Sequence, residues 1–221
     1  MTTLATDLDV PLSTAMRAGS QVEHEAAESS SFMTELLAGR VNEVGYATYL
    51  LRLRQVYGAL ESVPDLLAGD PWVAAVHDEG LARLAAIDAD LEVWATGATL
   101  QAHSPAASAY CDRVLDTRAW GGLYAAHHYT RYLGDLSGGQ AIGRILDREF
   151  DLGGRGVAFY DFAAVGKPKP YKDAYRARLD ALGAGPEEKH RIVEEVKVAF
   201  RLNQALFAEL GQEIDAFRRT D

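Results

Sequence analysis

The 221-residue chain has a single cysteine, Cys111. That excludes an internal disulfide framework and a cysteine-rich metal site, and it suits a reducing compartment. Positive charge is scarce: 22 Lys+Arg stand against 32 Asp+Glu, a net charge of −10. A general nucleic-acid binder should carry a basic stripe, so none is expected as a partner. No stretch approaches the ~18 uninterrupted apolar residues of a membrane span. The first ten residues hold Asp7 and Asp9 and no basic stretch, unlike a secretory leader. The final Phe217-Arg218-Arg219-Thr220-Asp221 reads as no membrane anchor, and the expected location is cytoplasmic. There is no G-x-G-x-x-G after a strand, so the chain shows no flavin or nicotinamide fingerprint. Alternating strand patterns, internal repeats and an inter-domain linker are also missing.

What is present is helical periodicity. With 48% hydrophobic residues, the chain is ordinary for a packed domain. The sequence predicts a first helix from Pro11 and Ser13 to about Ser29, with Ser13 as N-cap. A short helix from about Phe32 to Leu37 ends at Gly39. A long one runs from Asn42 or Glu43 to about Leu67, with apolar Tyr46, Tyr49/Leu50, Leu53, Val56/Tyr57 and Leu60 three and four residues apart. After the turn Gly69-Asp70-Pro71, helices are expected over about Glu79–Ala95, Pro105–Leu115 and Trp120–Phe150. Residues Phe159–Lys169 read as irregular, with Pro168 and Pro170 breaking any helix. Helices over Lys172–Leu182 and from Pro186 to about Phe217 complete the chain. The expectation is one all-α domain over 1–221, a helical bundle with its core at about 12–211.

The long helix has an odd middle. Gly134, Gly138 and Gly139 fall within six residues, with Gly143 beyond. Each interior glycine costs ~1 kcal/mol relative to alanine, and such a group invites a kink. Gly134 and Gly138 are four apart, so they share a face. A face without side chains is a slot for a planar ligand or for another helix. Arg131 and Asp135, also four apart, lie on an adjacent face within reach of each other. A polar pair beside a smooth slot suits a site that holds ordered water.

Among six histidines, His24 has the best company. Glu28 at i+4 can reach its imidazole, the kind of partner a metal-bound histidine takes for its second N–H. Arg17 at i−7 would stand two turns away on the same face, about 10 Å off, where it can meet a carboxylate at the edge of a large ligand. Lys167, Lys169, Lys172, Arg176 and Arg178, broken only by Asp173, form a basic cluster in an acidic chain. It reads either as a solvated face or as a clamp for an anionic ligand or a dock for an acidic redox partner.

Taken together these residues resemble the haem oxygenase family. The run Tyr129-Thr130-Arg131-Tyr132-Leu133-Gly134-Asp135-Leu136-Ser137-Gly138-Gly139-Gln140 is similar to its distal-helix signature almost throughout. His24-Glu25-Ala26-Ala27-Glu28 with Phe32-Met33 resembles its proximal motif. Phe159-Tyr160-Asp161-Phe162, Tyr171 to Arg176, and Ala199-Phe200 with Asn203 are also similar. The resemblance covers about residues 12–211 and is to the soluble bacterial type.

It implies an all-helical fold with haem sandwiched between a proximal helix and a glycine-kinked distal helix. It implies oxidative opening of haem to biliverdin with release of CO and ferrous iron. By resemblance His24 is the iron ligand, Glu28 its partner, and Gly134 and Gly138 the floor against the haem. Asp135 would hold the distal water network, supported by Arg131 and Tyr57. Arg17, Lys172 and Arg176, with Tyr129 nearby, would bind the propionates, and Phe200 and Asn203 would line the pocket. The partners implied are haem, O2 and an electron donor such as a ferredoxin or a flavoprotein reductase. Arg17 stands where the family often has lysine; it keeps the charge and adds a bidentate fork. The alpha meso carbon is the expected point of opening. Should His24 not serve the iron, His128 beside Tyr129 is the next candidate.

Three other functions compete with this one. A haem carrier or sensor would keep His24 and the clamp but need neither Asp135 nor the glycine slot. A di-iron carboxylate bundle wants two Glu-x-x-His motifs, and only Glu187 to His190 has that spacing. A purely structural helical domain does not explain glycines in mid-helix.

Overall fold

The computed structural model describes residues 10–95 and 103–219. The acidic start with Asp7 and Asp9, and the final Thr220-Asp221, lie outside the described residues. The all-α expectation is borne out: among the described residues the only extended pairing is a lone antiparallel bridge between Val41 and Arg218.

The expected first helix is two. Helix α1 spans Leu12–Gly19 and α2 spans Gln21–Glu28, with Ser20 between them at φ −118° and ψ 12°. Ser20 Oγ donates to the Met16 carbonyl (2.7 Å), so it bonds back to the preceding turn at the break. The N-cap is Pro11, not Ser13. Ser13 lies inside α1, and its amide and hydroxyl both donate to Asp180, each at 2.8 Å. Arg17 and His24 are therefore not on one continuous helical face.

Helix α3 covers Ser31–Leu37 and α4 covers Glu43–Leu66. Asn42 caps α4 by accepting from the Gly45 amide (2.9 Å), an interaction worth ~1 kcal/mol. The predicted α4 stripe is buried along its length. Asp70 caps a short helix α5, Pro71–Val76, that follows directly on the expected turn Gly69-Asp70-Pro71 and is not foreseen from sequence. Helix α6, Leu84–Trp94, starts later than expected because Glu79–Leu81 forms a separate 3-10 turn. Helix α7 is Pro105–Asp116.

The expected helix from Trp120 to Phe150 becomes α8 (Gly121–Gly134), a π-helical segment at Asp135–Gly139, and α9 (Gln140–Glu149). Pro168 and Pro170 do not break a helix. They sit in the first turn of α10, Pro168–Ala181, where their missing N–H groups cost nothing. Helix α11 spans Pro186–Gly211 and stops before Phe217; a short α12 covers Ile214–Phe217.

Helix α11 is the spine. It lies against α1, α2, α3, α7 and α8, while α4 packs on α6, α7 and α12, and α5 on α8 and α10. The buried α11 stripe holds Ile192, Val196, Ala199, Asn203, Leu206, Phe207 and Leu210 at helical spacing, with Glu195 as a buried charged exception. No helix among the described residues is long and apolar enough to cross a membrane.

Candidate active site

A cavity of about 760 Å³ opens between α1–α2, α8 with its π segment, α10 and α11. Twelve of the thirteen residues singled out from sequence line it: Arg17, His24 and Glu28 from α1–α2, Tyr129, Arg131, Gly134, Asp135 and Gly138 from α8 and the π segment, and Lys172, Arg176, Phe200 and Asn203 from α10 and α11. The thirteenth, Tyr57, is fully buried beneath the wall and reaches the site through Asp135.

The glycines have a clear physical meaning. Gly134 and Gly139 have ordinary right-handed helical dihedrals, and neither Gly138 nor Gly143 has positive φ. Backbone freedom is not the reason for any of them. At Gly134 and Gly138 an added Cβ would meet no protein atom within 4 Å, so bare backbone faces the cavity. At Gly139 and Gly143 a Cβ would stand 3.1 Å and 2.9 Å from Tyr160, whose ring packs on that face. Tyr160 is held by its segment: Asp90 accepts the Ala158 and Phe159 amides (2.8 Å each), and Arg83 donates to the Asp161 carbonyl (2.5 Å).

A buried polar array stands beside the glycine floor. Tyr57 Oη donates to Asp135 Oδ2. Arg131 donates to Tyr57 Oη through Nε and Nη2, at 3.2 Å each, and to Asn203 Oδ1 at 2.7 Å. Its Nη2 lies 3.7 Å from Asp135 Oδ1. Burial pushes the Asp135 carboxyl above its ordinary range, while Arg131 and Tyr57 pull it back. Burial opposes charge on Arg131, yet its phenol and carboxylate neighbours keep it firmly protonated. The array is thus a fixed carboxyl, held from behind, with the cavity in front.

The α2 side is more open. His24 Nε2 lies 3.6 Å from Glu28 Oε1, with side chains 49% and 63% exposed, which leaves the imidazole accessible to a ligand. Phe200 braces the ring edge-to-face at 5.4 Å.

The basic cluster divides. Lys172 and Arg176 face the cavity, with Lys172 Nζ on Ser137 Oγ at 2.8 Å. Burial and then Arg176 lower the Lys172 ammonium. Tyr129 is raised by burial and drawn back by Arg176 and Arg17, so these three groups share one field. Arg178 turns away to the Ala75 carbonyl (2.7 Å), and Lys169 pairs with Asp173 (2.9 Å).

His128, the reserve ligand candidate, does not line the cavity. It is buried, with Nδ1 2.9 Å from Tyr175 Oη, and burial lowers it to about 3. The sequence reading gave no role to Tyr160 or Ser137, which line the cavity. It also missed the His127–Glu195–Arg113 cluster behind α8. There His127 Nε2 and Glu195 Oε1 are 2.7 Å apart, and Arg113 Nε reaches the same carboxylate at 2.7 Å. The one available signal was a charged residue at a core position of the α11 stripe.

The residues present fit a flat, anionic, metal-bearing ligand: a bare backbone slot, an accessible imidazole and cations at the cavity edge. Comparison with known proteins decides the family. The family model described as heme oxygenase matches residues 10–209. The chain belongs to the haem oxygenase family. Heme oxygenase 1 of Rattus norvegicus is 38% identical over 208 residues, covering 90% of this chain and 71% of the rat protein. The haem oxygenase structure from Leptospira interrogans matches with a TM-score of 0.83 at 33% identity, covering 90% of this chain and 100% of that one. Heme oxygenase-2 of Synechocystis, solved with heme and NO, matches with a TM-score of 0.87 at 32% identity, over 94% of this chain and 88% of that one. The chain is accordingly a haem-degrading enzyme, with haem as both prosthetic group and substrate.

Proposed function

We propose that this cavity runs haem ring opening with the roles divided as follows. Bound haem supplies the iron that activates dioxygen and the ring that is opened to biliverdin, with CO and ferrous iron released. His24 would offer an imidazole nitrogen to the iron, with Glu28 the acceptor for the ring's other N–H. Arg17, Lys172 and Arg176, with the Tyr129 phenol, hold the two propionates and so fix which meso carbon is presented; the alpha isomer is the expected product. Phe200 and Asn203 complete the wall.

The carrying observation is the pairing of open space at Gly134 and Gly138 with the carboxyl of Asp135 held by Tyr57 and Arg131. Bare backbone at Gly134 and Gly138 keeps side chains off this wall and would leave room for a flat ring against it. The free lone pairs of Asp135 hold a water there and move a proton through it, without the protein itself competing for the iron. Burial raises the Asp135 carboxyl, with Arg131 and Tyr57 opposing, as expected of a group with a part in proton transfer. Arg131 and Tyr57 keep that carboxyl from swinging.

Electrons enter from outside, from a ferredoxin or a flavoprotein reductase, with Lys167 and Lys169 outside the cavity as part of an attractive field for an acidic donor. The whole chain acts as one domain in the cytoplasm.

A single-turnover assay tests this reading. One equivalent of ferric haem should shift the Soret band; reductant under air should then replace it with a biliverdin spectrum. Asp135→Ala should keep the shift but lower biliverdin formation by ~10²–10⁴-fold, the range for a lost proton-transfer group. Normal yield would remove Asp135 from the mechanism. Haem bound but stable under reductant and oxygen would instead indicate a carrier or sensor.

A further inference from the structure

The cations of α10 are held in different ways. Lys169 and Arg176 both lean on Asp173, at 2.9 Å and 3.4 Å. Arg178 donates to the Ala75 carbonyl at 2.7 Å. Lys172 makes no ion pair among the described residues; its Nζ donates to a neutral hydroxyl, Ser137 Oγ, at 2.8 Å. Burial and the neighbouring Arg176 both work against its charge, and Asp173 offsets them only in part. An ammonium so placed lacks a counter-charge, which a carboxylate entering the cavity would supply.

Ser137 is constrained from its own side. Its hydroxyl proton goes to the Leu133 carbonyl four residues back, at 2.7 Å, so what it offers α10 is a lone pair. It stands in the π-helical segment Asp135–Gly139, between Asp135 and Gly138, and lines the cavity together with Lys172. The hydrogen bond therefore links the cationic edge to the segment that carries both the carboxyl and part of the bare floor. An ammonium has three N–H donors, and one on Ser137 leaves the others for an anion. A serine holds the cation without spending its charge; an aspartate at the same place would neutralise it. A free lysine side chain sweeps through many rotamers. Tied to Ser137, this one stands in a fixed register with Asp135 and Gly138.

We infer that Ser137 is a positioning residue that determines specificity: it seats the Lys172 ammonium, and through it sets how a haem ring is turned in the slot and which meso carbon is presented. The inference rests on the haem reading above. Without the hydroxyl, the charge and the helix remain but the ammonium roams, and the ring settles in more than one orientation.

Ser137→Ala tests this, since alanine favours the helix and only the hydroxyl is lost. At saturating haem, the proton resonances of the haem methyls in the ferric cyanide complex report seating. Transfer of haem to apomyoglobin gives the off-rate, and chromatography after a single turnover gives the biliverdin isomers. Ser137→Ala should show a second seating, several-fold faster haem transfer and a several-fold larger share of non-alpha product. Ser137→Thr, which keeps the hydroxyl, should return all of these toward wild type. In a Lys172→Met background, where Arg17 and Arg176 remain to hold haem, Ser137→Ala should change nothing further. A single seating with an unchanged isomer pattern in Ser137→Ala would overturn the inference. So would an effect of the same size in the Lys172→Met background, and both results would leave the haem reading intact. A wild-type protein that gives no Soret shift with haem, or no biliverdin, would overturn that reading and this inference with it.

Discussion

The stretch from α8 through α9 has two faces built from the same residue type with opposite meanings. On one, Gly134 and Gly138 face open cavity; on the other, Gly139 and Gly143 are covered by Tyr160. Both pairs are four apart, and none of the four has positive φ. The first pair leaves the cavity wall bare, and the second lets Tyr160 pack against the helix. A glycine count alone does not separate them; what stands opposite each Cα does.

Substitutions sharpen the contrast. The largest effect is expected from Gly138→Val. Its branched side chain enters the slot, so the Soret shift at one equivalent of haem should disappear while thermal melting is unchanged; tight haem binding by that variant would dissolve the cavity-face assignment. Gly143→Ala should do the reverse. Its Cβ would press on the Tyr160 Cβ, which a ring rotation does not relieve, and overpacking of this kind costs ~1–3 kcal/mol. Calorimetry should show that loss, with haem affinity nearly kept.

His128 belongs to the buried side and adds a pH test. Its folded-state pKa is lowered from 6.5 to about 3 by burial, then by the charges of His77 and Arg178. Between those values the unfolded chain binds a proton that the folded chain refuses. Stability therefore falls as pH drops through 6.5 toward 3, by ~2 kcal/mol from this group between pH 7 and pH 5. His128→Phe should flatten that part of the urea-unfolding pH profile; an unchanged slope would show that the histidine is not held neutral. The smallest effect is expected from Gly134→Ala. With nothing for its Cβ to strike, it should raise stability by up to ~1 kcal/mol through helix propensity, and slow biliverdin formation while doing so.

The buried stripes of α4 and α11 were legible because period 3.6 is a local property. The helix breaks were less so. The break between α1 and α2 falls at Gly19-Ser20, a pair that permits a kink without requiring one, and both helices pack on α11. Pro168 and Pro170 misled because proline forbids a helix interior but not its first turn. Much of the cavity wall was legible, since Arg131, Gly134, Asp135 and Gly138 fall within eight residues and their three- and four-residue spacing brings them to one surface. Tyr57 stands 78 residues from Asp135, and only the resemblance linked them. Glu195, His127 and Arg113 come from three helices, and no local pattern joins them. The reserve role for His128 failed for a related reason: adjacency to Tyr129 in a helix points a residue about 100° away, into the core.

The two hydrogen bonds from Ser13 to Asp180 tie the start of α1 to the end of α10. Those helices carry Arg17 on one side and Lys172 and Arg176 on the other. The gap between the cations is thus set by the protein before any anion arrives. A mouth set in this way would act as a caliper, favouring a pair of carboxylates whose separation matches its own jaws.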